Sequence, residues 1–289
     1  METIPRVGLG TWAYKSDEET TASVIMAVEK CGYRHIDAAA YYKNEKAVGD
    51  GLKDLFARGV IKREEIWVTT KIWNDHHKPE DVEVELRKSL EKLGLSYVDL
   101  YLIHWPFATR FDSDGKEVVD HSISVIDTWK AMERMVEIGL TKRIGVANFS
   151  VPLLEKLRFA DVKIQPYIDQ VEYHILMQQE ALRMYLKFRG IKFEGYSCLG
   201  QGHPEVLNNP VLQEISKEVG KPAGSVALRY LQQLDDNTVV LAKSATESRL
   251  KENIDDSFSL TDDQIQRLRA QDKCLRLIKQ PIACFGDEW

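Results

Sequence analysis

Cysteine is scarce in this chain and never paired: Cys31, Cys198, Cys274 and Cys284 are the only four among 289 residues, and none forms a CxxC motif. That spacing excludes a zinc ribbon or a disulfide framework and points to a reducing compartment. Long apolar runs are absent as well. None approaches the roughly 18 residues that span a bilayer, and Met1-Glu2-Thr3-Ile4-Pro5-Arg6 lacks the apolar segment of a secretory signal. Positive charge is in deficit. The 39 Lys and Arg against 45 Asp and Glu leave a net charge of −6, which argues against a general nucleic-acid or anionic-membrane surface. Any phosphate site must therefore be local. Adjacent His76 and His77, after Asp75, have poor spacing for a chelate, so no metal is expected. These absences describe a soluble, cytoplasmic protein, with a monomer favoured.

What is present is a regular alternation. Short apolar runs at 6–11, 34–39, 66–71, 98–104, 143–149, 168–174, 192–198 and 239–244 read as strands. Amphipathic segments lie between them. In 79–94, Pro79 opens a helix, Val82, Leu86, Leu90 and Leu93 form one stripe, and Gly94 stops it. The run Val98-Asp99-Leu100-Tyr101-Leu102-Ile103 is largely apolar on both alternating faces, as parallel strands covered on each side require. Eight strand–helix units, with no linker or composition shift, predict an α/β fold: a single (β/α)8 TIM barrel over 1–289. Its active site is expected at the C-terminal ends of the strands. The polar stretch 107–122 reads as a long loop, and 208–234 as two helices broken at Gly220-Lys221-Pro222.

A rival reading starts at Gly8-Leu9-Gly10-Thr11-Trp12-Ala13, which matches the G-x-G-x-x-A fingerprint of dinucleotide-binding Rossmann folds. Asp37 even stands about where a ribose-binding acid belongs. The mechanics oppose it. The preceding strand is short and carries Pro5, and Trp12 is bulky where backbone must approach a pyrophosphate.

Four polar residues fall at or just beyond expected strand ends: Asp37, Tyr42, Lys71 and His104. Each alone has a bland reading as a helix cap, a loop aromatic, a surface lysine or a satisfied histidine. Together they divide labour. A lysine beside a tyrosine favours phenolate and is expected to lower the phenol from its ordinary value of about 10. An aspartate keeps that lysine charged and aimed, and a histidine orients a carbonyl oxygen. Such a set donates a proton to an oxygen that gains negative charge, as hydride addition to a carbonyl demands.

The segment Gly32-Tyr33-Arg34-His35-Ile36-Asp37-Ala38-Ala39-Ala40-Tyr41-Tyr42-Lys43-Asn44-Glu45 resembles the signature of the aldo-keto reductases. Thr70-Lys71-Ile72-Trp73, Tyr101-Leu102-Ile103-His104-Trp105-Pro106, Ile144-Gly145-Val146-Ala147-Asn148-Phe149 and Gln170-Val171-Glu172-Tyr173-His174 extend the resemblance over nearly the whole chain. Aligned on Asp37 and Asn44, the family tyrosine falls on Tyr42, not Tyr41. The resemblance implies NADPH-dependent reduction of a small carbonyl substrate. Tyr42 would be the general acid, Lys71 its partner, Asp37 the lysine's counter-ion and His104 the orienting group. It also implies that Asn148 and Gln170 hold the nicotinamide carboxamide, with Tyr196 stacked on the ring. Thr11, Ser197 and Leu199 would be further cofactor contacts, and Trp12, Trp73 and Trp105 would wall an apolar pocket.

The last strand run ends in Lys243-Ser244, and Thr246 reads as the N-cap of a helix carrying Arg249, Glu252 and Asn253. Free helix amides and two cations suit an anion. By the resemblance this is the adenosine 2′-phosphate of NADPH, with Glu252 and Asn253 touching adenine. The chain departs from relatives in four places, Ala13, Ala147, Ala242 and a short 200–209 segment, all on the cofactor side. The stretch from Leu275 and the acidic end Gly286-Asp287-Glu288-Trp289 are candidates to cover the barrel mouth. The different-class alternative is a catalytically idle relative, kept as a structural or channel-associated subunit.

Overall fold

Among the described residues, eight of the ten strands, with the ranges that follow, pair in parallel and close on themselves in the order β1-β10-β9-β8-β7-β4-β3-β2. They are β1 (Val7–Gly10), β2 (His35–Asp37), β3 (Trp67–Ile72), β4 (Leu100–Ile103), β7 (Ile144–Ala147), β8 (Ile168–Glu172), β9 (Lys192–Tyr196) and β10 (Thr238–Ala242). This is the expected (β/α)8 barrel, seen in a computed structural model that describes residues 1–278. Cys284 and the acidic end lie outside the described residues. Among the described residues, no helix is long and apolar enough to cross a membrane.

The remaining strands, β5 (Thr109–Phe111) and β6 (Glu117–Val119), correct the expectation of a structureless loop at 107–122. They form an antiparallel hairpin. Asp112 Oδ1 accepts the amides of Asp114 (2.9 Å) and Lys116 (3.0 Å), and Gly115 takes a φ of 74° that closes the turn. The strands are only three residues each, too short to carry a clear alternation in sequence.

Helix boundaries follow the punctuation. The helix Pro79–Leu93 has Pro79 in its first turn and ends at Gly94, whose φ is 66°. Its Val82, Leu86, Leu90 and Leu93 are buried. The region 208–234 divides into Pro210–Val219 and Ala223–Gln233, with Gly220 in the left-handed region between them. Most apolar side chains meet in one layer between barrel and helices, to which β3 contributes Val68 and Ile72. The alternate residues of β3 face the barrel interior. Trp67 packs with Leu100, Leu102, Ile168, Val239 and Ile4 near its start, and Lys71 arrives at the far end.

Gly8, the first glycine of the dinucleotide-like motif, has a different task. A Cβ there would lie 2.5 Å from Leu241 Cδ2 and 2.6 Å from His35 Nδ1. The residue is glycine because the barrel interior is full, not because a pyrophosphate must approach. Gly8→Ala should therefore overpack this layer and cost roughly 1–3 kcal/mol. A lowered urea midpoint at constant m-value reads that loss, and an unchanged midpoint would show that the His35 ring has room to move.

Candidate active site

Asp37 ends β2, Lys71 lies near the end of β3, and His104 follows β4 directly. Tyr42 closes a short 3-10 turn, Ala40–Tyr42, that leaves β2. Two residues lock that turn. Thr11 donates its hydroxyl to the Asp37 carbonyl (2.8 Å), and Asn44 Nδ2 donates to the Thr11 carbonyl (2.8 Å). Thr11 is thus fully buried behind the site and is not on the cavity wall.

Lys71 Nζ donates to Asp37 Oδ1 and Oδ2 (both 2.7 Å), the Ala38 carbonyl (2.9 Å) and Tyr42 Oη (3.1 Å). The ammonium is completely buried. Burial alone would lower its pKa, but the charge of Asp37 and the hydrogen bonds around it leave it above the ordinary lysine value. It stays charged. Tyr42 behaves otherwise than its lysine neighbour led us to expect. Burial pushes its phenol up to about 12, outweighing the downward pull of Lys71. The hydroxyl is therefore held protonated, as a proton donor must be. Burial, with Lys71 and His77 adding to it, pulls His104 well below its usual value, so its ring is neutral.

Aromatic rings enclose the far side. His104 meets Tyr42 (centroids 5.7 Å apart) and Trp73 (4.9 Å) edge-on. Trp73 stacks on Tyr41 at 3.6 Å, and Tyr41 stacks on Trp12 at 5.5 Å. Tyr41 is therefore a wall residue between the two tryptophans, a place the sequence reading did not give it. Its position beside Tyr42 in a tight turn was the available signal. Trp105 lies against Phe107 at the same mouth.

One cavity of about 870 Å³ runs from these rings along the strand ends to the helix Glu247–Ile254. Trp12, Trp73, Trp105, Tyr42, His104 and Asp37 line one end. Asn148, Gln170, Tyr196, Ser197 and Leu199 line the middle, and Lys243, Ser244, Arg249, Glu252 and Asn253 the other end. Ile278 also reaches the wall, and the Leu277 amide donates to Glu172 (2.7 Å), so residues 277 and 278 lie at the mouth; the rest of the tail is outside the described residues. Thr246 stands at the helix cap but does not cap it with its side chain. The Ser244 hydroxyl instead accepts the Thr246 amide at 3.0 Å. The first helical bond runs from Leu250 to the Thr246 carbonyl, leaving the amides of residues 247–249 in the unpaired first turn. Among the described residues, neither Lys243 nor Arg249 has an ion-pair partner. Lys243 Nζ donates to the Ala13 carbonyl at 2.8 Å and lies 4.8 Å from the centre of the Tyr14 ring.

The middle of the cavity is wired by side chains. Tyr196 donates to Asn148 Oδ1 (2.8 Å), and Asn148 Nδ2 donates to the His104 carbonyl (2.9 Å). Asn148 and Ser197 adopt φ values of 62° and 52°, a strained region for non-glycine residues that often marks functional sites. Gln170 Nε2 donates both to Asp37 Oδ1 (2.9 Å) and to Glu194 Oε2 (2.7 Å). Those two bonds orient the amide and leave Oε1 of Gln170 as its remaining acceptor. Glu194 was not foreseen from sequence. The signal was there, since an acid two residues before inward-facing Tyr196 on one strand must also face inward.

Comparison with known proteins gives a consistent result. The Aldo/keto reductase family model matches residues 6–273. Aldose reductase C of Dictyostelium discoideum is 38% identical over 297 residues, spanning 98% of this chain and 90% of that protein. Estradiol 17 beta-dehydrogenase 5 of Mus musculus is 39% identical over 312 residues, spanning 99% and 95%. The crystal structure of a Bombyx mori aldo-keto reductase in complex with NADP has a TM-score of 0.87 and 36% identity, covering 96% of this chain and 92% of that one.

Proposed function

Because this chain belongs to the Aldo/keto reductase family, we propose that it reduces aldehydes, and also ketones or aldoses, to alcohols with NADPH, using Tyr42 as the general acid. The observation that carries this reading is the completely buried Lys71 Nζ, which contacts Asp37 and Tyr42 at once at the cavity wall. The relatives are named as reductases and a dehydrogenase, which lends no support to the idle-barrel alternative.

The residues present fit the cofactor. The cavity runs to two cations that, among the described residues, have no carboxylate partner, and the first-turn amides of a helix adjoin them. Lys243, Ser244 and Arg249 would hold the 2′-phosphate, with Glu252 and Asn253 beside adenine. Ser197 and Leu199 would flank the middle of the dinucleotide, Asn148 and Gln170 would hold the carboxamide, and Tyr196 would stack on the ring. Thr11 contributes by fixing the turn that carries Tyr42, and Thr246 through its place at the helix cap. Bound there, NADPH supplies the hydride.

Each remaining task falls to this chain's residues. Trp12, Trp73 and Trp105 position the substrate and exclude water from the carbonyl. His104, neutral, offers a ring N–H to the carbonyl oxygen. Tyr42 gives its Oη proton as negative charge grows there, and the phenolate it leaves faces the Lys71 ammonium. Asp37 keeps that ammonium charged and aimed. General acid help of this type is typically worth ~10²–10⁴-fold.

The direct test is loss of NADPH absorbance with a panel of short aldehydes, aldoses, quinones and lipid-derived carbonyls. We expect multiple turnovers with at least one class and none without carbonyl. Tight NADPH binding without turnover of any carbonyl would overturn the assignment.

A further inference from the structure

Glu194 takes part in none of these steps, yet it is fully buried one amide away from the catalytic ion pair. Its position comes from strand register. β8 and β9 pair with Gln170 opposite Glu194, so both side chains enter the barrel together. The two donors of the Gln170 amide are then divided between Asp37 Oδ1 and Glu194 Oε2. The other oxygen, Oε1, has no hydrogen bond among the described residues and lies 3.7 Å from His35 Nε2.

Thr69 lies beside that approach. Its Oγ1 accepts the indole N–H of Trp67 (3.1 Å) and stands 3.4 Å from His35 Nε2. With the Thr69 hydroxyl proton turned to the ring, His35 Nε2 is an acceptor. An ionised Glu194 would set a carboxylate oxygen against an imidazole lone pair, whereas a proton on Oε1 makes the two complementary.

We propose that the Glu194–His35 pair holds one buried proton beneath Asp37 and Lys71, and that this proton sets the acidity of Tyr42. Glu194 is thus a positioning residue for the reaction, an inference that rests on the reductase function proposed for this site. Electrostatics agree with the geometry. Burial, with the charge of Asp37 added, pushes Glu194 up to about 8, and burial pulls His35 down to about 3. The other titratable groups that face Glu194 are Lys71, Tyr42, Tyr167 and Cys198.

The direction of the effect follows from charge. With the proton in place, Lys71 and Asp37 cancel and the buried cluster is neutral. Loss of the proton as pH rises through about 8 leaves a net negative charge. That charge favours phenol over phenolate, so the pKa of Tyr42 rises. Tyr42 becomes a weaker acid for reduction, and in alcohol oxidation it becomes a base only at higher pH.

Glu194→Gln isolates this effect, because a glutamine accepts from Gln170, donates toward His35 and never ionises. We expect wild-type kcat/KM for reduction to fall through an ionisation near the Glu194 pKa of about 8, and E194Q to lack that step. The rising limb of alcohol oxidation should move down by roughly one pH unit in E194Q, about tenfold in proton concentration. Equal losses at every pH would reduce Glu194 to a packing role and overturn the proposal. The cofactor-free protein supplies an independent readout. The infrared difference between wild type and E194Q should contain a protonated-carboxyl band at neutral pH that disappears on alkalinisation. The subtraction removes Asp169, another buried acid held well above its usual pKa. A band already absent at pH 6 would sink the proposal even in an active enzyme. A titrating band in a protein that reduces no carbonyl would sink only the reductase reading.

Discussion

Tyr42→Phe is expected to fold, to bind NADPH like the parent, and to reduce aldehydes roughly 10²–10⁴-fold more slowly. The ring keeps its edge contacts with His104 and Trp12, so packing and the pocket wall survive. What disappears is the single hydroxyl within 3.1 Å of Lys71 Nζ. Because burial holds that phenol at about 12, the parent carries the proton throughout the neutral range, and the defect in Y42F should not be rescued by lowering pH. Stopped-flow NADPH oxidation, beside cofactor binding followed by fluorescence, separates chemistry from binding. Tyr41→Phe is the control, since Tyr41 stacks between Trp12 and Trp73 and does not touch Lys71. If Tyr41→Phe proves the more damaging change, Tyr42 is not the proton donor.

Changing both Lys243 and Arg249 to methionine should weaken NADPH by about 10²–10⁴-fold while leaving NADH within a few-fold. Each charge-assisted contact to a phosphate is typically worth ~1.5–3 kcal/mol, and 1.4 kcal/mol is tenfold. Methionine keeps apolar bulk at both positions but also removes the Lys243 ammonium from its place 4.8 Å from the centre of the Tyr14 ring. Burial holds the Lys243 ammonium below its usual pKa, and an arriving dianion would favour its charged form. Isothermal titration with both cofactors reads the difference. Equal losses for NADPH and NADH would remove the 2′-phosphate from this end of the cavity.

Much of the barrel is legible along the chain because its signals are local. A strand buried on both faces is an apolar run, and a helix between Pro79 and Gly94 is bracketed by residues that start and stop helices. The proposed catalytic residues are legible as motifs. Their order of contact is not, since Lys71 meets Tyr42 across 29 residues and Gln170 meets Asp37 across 133. The hairpin at 109–119 escapes sequence reading because strands of three residues are too short to carry a period. Glu194 escapes for a related reason. A lone acid in an apolar strand looks like an interruption until register shows what stands beside it.

By itself the sequence determined the eight strand–helix units, the family motifs and the local character of the proposed phosphate site. Those depend on residue type, spacing and backbone preference, all of which act over a few positions. The tertiary structure decided the rest, because burial and proximity are properties of the closed barrel. Closure makes Gly8 a packing necessity. It also turns Thr11 and Asn44 into the lock on the Tyr42 turn. Above all it removes water from Tyr42, and desolvation there outweighs the lysine that, on sequence alone, should have lowered the phenol's pKa.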